Sequence, residues 1–168
     1  MKQRSKILMA VLAVITCVSV CVALWALLGR APTPLLPPDE IPAADENALP
    51  TGEDDEEKMD APDGGGAVNI TYSDQVSIAL SEGVAQLFFS NPARSNQSLV
   101  LEVVIQGTTV VQSGALAPGN QVETLPLLDT AKLAPGRYDG MFHVVFYHED
   151  GRQAMLDTEI PISIAVTA

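Results

Sequence analysis

The residues of this chain that could do chemistry are few, and their spacing assembles no catalytic site. The two histidines are His143 and His148. Five residues apart on one strand, they project from opposite faces and cannot jointly hold a metal without a bend. His148 adjoins Glu149 and Asp150, a weak cation site at best; acids at a turn ordinarily face water. Serines are plentiful, but none lies in a Gly-x-Ser-x-Gly elbow that would expose a nucleophile. Gly64-Gly65-Gly66 is followed by no Lys-Ser/Thr pair and opens no helix, so it is not a phosphate loop. Asp157 and Glu159 share a strand face, yet nothing beside them separates an acid from a base. Glu53 to Glu57 is an unbroken acidic run without the spaced ligands and turn glycine of a calcium loop. These residues predict no enzyme, no cofactor and no metal centre.

The elements that must position these side chains begin at Val68, where the hydrophobic period becomes two. Val68, Ile70 and Tyr72 alternate with polar residues, as do Val76, Ile78 and Leu80. Val84 to Ser90, Leu99 to Gln106, Thr108 to Ser113, Gln121 to Leu127, Tyr138 to His148 and Gln153 to Val166 read as further strands. Gly107, Pro118-Gly119-Asn120, Pro135-Gly136 and Glu149-Asp150-Gly151 punctuate them. Asn91 to Asn96 reads as a loop. Seven or eight short strands with regular turns and no convincing helix predict an all-β fold, an antiparallel β-sandwich over residues 67–168. Pro161 lies inside the last strand, which must therefore carry an edge or a bulge there.

Leu133-Ala134-Pro135-Gly136-Arg137-Tyr138 opens the longest strand. With Phe89-Ser90-Asn91 ending one strand and Ala117-Pro118-Gly119 preceding another, it resembles bacterial immunoglobulin-like modules of the adhesion-related and fibronectin-III-like kind. The likeness covers about Val84 to Val166, and the chain is also similar to anchored proteins of Gram-positive bacteria. The resemblance implies an immunoglobulin-like sandwich in which Leu133, Pro135, Gly136 and Tyr138 form a structural corner. There the tyrosine hydroxyl bonds back to the backbone a few residues upstream. It implies little about activity, because that fold hosts many.

Ile7 to Leu28 is a run of 22 residues without a charged side chain. As a helix it would extend about 33 Å, enough for a hydrocarbon core of about 30 Å. Lys2, Arg4 and Lys6 precede it and only Arg30 follows closely. The positive-inside rule then keeps residues 1–6 in the cytoplasm and sends the C-terminus out. Trp25 suits the outer interface. The run exceeds a signal peptide's apolar region of about 7–15 residues, and Gly29-Arg30-Ala31 is a poor cleavage site. Thr16 and Val20 before the two cysteines do not make a lipobox. A helix apolar on every face has no place in so small a soluble domain. Cys17 and Cys21 share one helix face, open to an inter-chain disulfide or acylation, or simply tolerated in lipid.

Residues 29–66 join this anchor to the domain. Ala31 to Gly66 contains seven prolines, four glycines and eleven acids against one base, Lys58, with no apolar periodicity. Such a composition predicts a disordered, extended acidic stalk. The formal charge of −12 excludes a nucleic-acid partner, since neutralising phosphate requires Lys and Arg.

Within the long strand, Phe142, Val144 and Phe146 should face the core. Met141, His143, Val145 and Tyr147 then occupy the opposite face, apolar enough for a partner-binding surface unless a loop or the N-terminal strand covers it. The expected protein is a non-enzymatic, single-pass cell-membrane module whose domain binds another envelope protein. Small-ligand or glycan binding and an inhibitor-like loop at Asn91 to Ser98 are the alternatives. The domain offers few aromatics for a glycan, and no small-molecule substrate is indicated.

Overall fold

The computed structural model describes residues 40–52, 57–61, 65–128 and 133–168. The apolar run Ile7 to Leu28, with Cys17 and Cys21, lies outside them, as does much of the predicted stalk. The described residues belong to one compact unit, Leu36–Ala168.

Nine strands are present among them: β1 Leu49–Pro50, β2 Thr71–Tyr72, β3 Gln75–Ala79, β4 Val84–Asn91, β5 Ser98–Ile105, β6 Thr108–Gln112, β7 Asn120–Pro126, β8 Gly136–Tyr147 and β9 Gln153–Thr167. They form a mixed sheet in the order β1-β7-β4-β3-β9-β8-β5-β6, with β2 also on β4. The purely antiparallel expectation is corrected, because β3 runs parallel to β9, Gln75 opposite Ser163 through Ala79 opposite Thr167. Alternation of side chains cannot report this, since a half-buried strand has the same period whichever way its neighbour runs.

The sheet curls until its ends meet. Val111 in β6 bridges Leu127, just past β7, and the Leu128 amide donates to the Val110 carbonyl at 2.9 Å. The apolar side chains inside the curl make one core. Val76, Ile78, Phe89, Leu99, Leu101, Val111, Val122, Leu125, Phe142, Val144 and Ile164 are all within it. Tyr72 and Phe142 each lie near the Phe89 ring, the latter edge-on with centroids 5.5 Å apart. Edge-to-face geometry of this kind adds about 0.5–1.5 kcal/mol to the burial of the rings.

Pro161 fits because of where β9 is paired. The Ser163 amide points toward β3, donating to Asp74 at 2.8 Å. Two residues earlier, Pro161 has the same orientation, but β3 pairs only with Ser163–Thr167. The missing N–H therefore faces an unpaired stretch of edge. The expected edge is thus at Pro161, and a bulge lies earlier in β9. Val145 opposes Asp157, and Tyr147 opposes Gln153, so β9 spends four residues where β8 spends two. The excess bulges outward and leaves Met155 and Leu156 at 101% and 79% exposure.

The stalk boundary at residue 66 is also corrected. Residues 40–52 lie along the domain as a strap. Leu49 and Pro50 pair with Gln121 and Asn120 of β7. The amides of Ile41, Asp45 and Thr51 donate to the carbonyls of Gly151, Ala115 and Gly119. Ala115 returns a bond to the Ala43 carbonyl at 2.8 Å. Proline and acid content argues against a self-contained core. It does not report whether a segment can satisfy the open edge of a neighbouring sheet.

Candidate functional site

The outer face of β5, β8 and β9 carries the groups with the most chemical character. Register places Glu102 of β5 directly opposite His143 of β8, and His143 next to Glu159 and diagonal to Asp157 of β9. His143 Nδ1 lies 2.8 Å from Glu102 Oε2, and its Nε2 lies 2.7 Å from Asp157 Oδ2. Gln112 of β6 donates to the other Glu102 oxygen at 3.2 Å. A polar ladder thus crosses four strands.

Two carboxylates are acceptors only, so both ring nitrogens of His143 are called on to donate, which the imidazolium alone can do. Burial pulls the imidazole pKa down. The hydrogen bonds and negative charges of Asp157 and Glu102 outweigh that, and the net shift is upward. The bond from His143 holds Asp157 below the ordinary carboxylate range, against a smaller opposing effect of burial. Burial raises the Tyr147 phenol, and the Glu102 charge adds to this. With both nitrogens engaged, His143 has no free lone pair to act as a base or metal ligand. It is a clamp joining three strands.

The predicted partner face is otherwise corrected. His143 and Met141 are half-buried, but Tyr147 and Val145 are buried, at 1% and 8% exposure. With Val100 they form a second small apolar cluster outside the main core. The strand phase was read correctly, since Phe142 and Val144 do face inward. The opposite face is covered. Ile41 is bonded beside the β8–β9 turn, and Ala43 and Asp45 are bonded at Ala115. The strap thus runs from the β8–β9 turn to the segment that follows β6. Neither the strap nor the polar ladder is visible in local periodicity. The one available signal was Glu102, His143 and Asp157 interrupting otherwise apolar strands.

The corner residues lie where the long strand begins. Leu133 packs against the core, and the Tyr138 hydroxyl donates to the Ala134 carbonyl at 2.8 Å. Pro135 and Gly136 make the turn between them, both exposed.

The loop from Asn91 to Ser98 does not stand out from the domain as an inhibitor loop would. The Asn91 amide donates to the carbonyls of Gln97 and Leu116 at 3.0 and 2.9 Å. The Ser95 hydroxyl accepts from the Asn69 amide and donates to the Asn69 carbonyl, both at 3.0 Å. Arg94 alone in this loop is exposed. His148 contacts Gln97 at 3.0 Å rather than its neighbouring acids, while Asp150 pairs with Arg152 at 2.7 Å. The Arg152 backbone and side-chain bonds hold the Asp150 carboxyl below its usual range. A shallow polar cleft lies here, lined by Asn96, Gln97, His148, Glu149 and Arg152, with no aromatic platform.

No protein-family model matches the chain, and no curated protein matches it. Among solved structures, murine CRIg is similar at 17% identity, over 61% of this chain and 100% of that one, with a TM-score of 0.35.

Proposed function

We propose that this chain is a non-enzymatic, membrane-anchored, extracytoplasmic module whose immunoglobulin-like domain binds another protein of the cell envelope. The pairing order supports that fold assignment. β2, β3, β4 and β7 correspond to one sheet of such a sandwich, and β9, β8, β5 and β6 to the other. The Tyr138 bond lies at the start of β8, the strand where a tyrosine corner belongs. The anchor rests on the uncharged run Ile7 to Leu28 and its basic flank.

The observation that carries protein binding is the β9 bulge. Bulges re-aim side chains, and this one holds Met155 and Leu156 away from the sheet, unlike any other large apolar pair in the described residues. The test is capture from native membranes with the full chain and with a Met155→Ser/Leu156→Ser variant. One stoichiometric protein retained by the parent and lost from the variant is expected. Retention of glycan alone, or equal retention by both chains, would overturn the assignment.

A further inference from the structure

The strap occupies a site that has the features of a strand acceptor. Its backbone bonds run to three separate places on the domain: Gly151, Ala115, and Gly119 with β7. Asp45 fastens the second of these. One carboxylate oxygen accepts from the Gly114 amide at 2.6 Å, and the other accepts from the Asn47 amide at 2.7 Å. The domain side is shaped to receive a backbone. A Cβ at Gly114 would lie 2.7 Å from the Asp45 Cα and 2.8 Å from the Ala43 carbonyl oxygen, so only glycine leaves room. The segment seated there lays its backbone against Gly114 and supplies the Asp45 carboxylate, while the Ala43 and Ala44 side chains are exposed.

What holds the strap is backbone pairing, with Ala48 its one small apolar contact to the core. Ile41 and Leu49, its large apolar residues in the described segment, are exposed. A segment held by edge hydrogen bonds can be exchanged for another of the same shape, as in strand addition to open sheet edges.

We propose that the groove along Gly114–Ala115 is a strand-acceptor site, held in cis by residues 40–52. In trans it takes an extended partner segment of the same chemistry, its backbone laid against Gly114 and an Asp or Glu in the place of Asp45. This deepens the protein-binding reading and rests on it for the partner, but not for the exchange itself. The strap acts as an internal competitor, so weakening it should strengthen binding in trans.

The probe is a fluorescent synthetic peptide of residues 40–52, added to the full chain in detergent. Asp45→Ala in the chain removes the clasp while leaving the acceptor intact. Peptide affinity should then rise about tenfold or more over the parent, the scale of losing a charge-assisted hydrogen bond. The same change in the peptide should weaken its binding. Gly114→Val added to the Asp45→Ala chain should abolish binding, with an unchanged circular-dichroism spectrum showing that the domain persists. If that double variant is unfolded, Gly114→Ala takes its place. Affinity unchanged by Asp45→Ala, or binding that survives filling Gly114, overturns the proposal. Peptide exchange without any envelope protein captured would uphold the acceptor and overturn the module assignment instead.

Discussion

Replacing His143 by leucine removes the centre of the four-strand ladder, and the cost should depend on pH. The imidazolium donates to Glu102, whose side chain is 15% exposed, and to Asp157, which is 59% exposed. A hydrogen bond to a charged group contributes roughly 1.5–3 kcal/mol when shielded. The Asp157 end is open to water and contributes at most about 1 kcal/mol. Desolvation of His143 offsets part of this, leaving about 2 kcal/mol for the clamp in its charged form. The charged groups facing His143 are Glu102 from β5 and Asp157 and Glu159 from β9, all acidic, so nothing on this face opposes protonation.

The folded pKa is raised above the unfolded value of about 6.5. Its stabilisation is therefore complete below that value and is lost as pH rises through the folded pKa. Urea unfolding at pH 5.5 and pH 8.5 is the assay. With m of about 1–2 kcal/mol/M, the parent midpoint should stand roughly 1–2 M higher at pH 5.5. His143→Leu should lose most of that difference. Asp157 sets the lower limit. Its depressed pKa gives stability present above about 3.8 and lost as pH falls through the folded value, so the comparison must stay above pH 5. A parent midpoint equal at both pH values, or higher at pH 8.5, would refute the clamp.

Three further outcomes follow from packing. Tyr147→Ala should cost about 3–5 kcal/mol in chemical unfolding, because the side chain is buried against Val100 and Val145; a near-neutral change would mean that it faces solvent after all. Tyr138→Phe should lower stability by about 0.5–1 kcal/mol, the value of one hydroxyl bond near the surface, and an unchanged midpoint would show the corner bond to be inert. Asn91→Leu deletes two buried donors' bonds and leaves the Gln97 and Leu116 carbonyls without this partner. A fall of about 2–4 kcal/mol is expected in thermal unfolding, and parent-like stability would dismiss Asn91 as a pivot.

The strands were legible because each declares a buried face by its own alternation. β5 and β8 are the clearest cases: the alternate residues Leu99, Leu101 and Val103 of β5 and the predicted inward Phe142 and Val144 of β8 are all core. The parallel join of β3 to β9 was not legible, because direction leaves no mark on a period of two. The partner face failed for a different reason. Exposure of Val145 and Tyr147 was inferred from the emptiness of one side of one strand, but burial is a property of everything that can reach that side. Here Val145 and Tyr147 close with Val100 of β5 into a second apolar cluster, which periodicity along β8 alone does not report.

The same non-locality made the clamp invisible. His143 stands 41 residues from Glu102 and 14 from Asp157, and only strand order brings the three together. Read alone, His143 is a polar residue in an apolar strand. Read in register, it is the cation that lets two carboxylates occupy one sheet face. The strap and the clamp are joined through β5: the strap is bonded at Ala115, Leu116 exchanges two backbone bonds with Leu99, and Glu102 stands three residues further along that strand. Protonation of the clamp ties that strand to β8. Strap docking should therefore be firmer at pH 5.5 than at pH 8.5. Amide exchange of Asp45 and Ala115 reads this directly: protection, corrected for intrinsic exchange, should fall toward pH 8.5 in the parent and stay level in His143→Leu. Protection that tracks pH equally in both chains would separate the strap from the clamp.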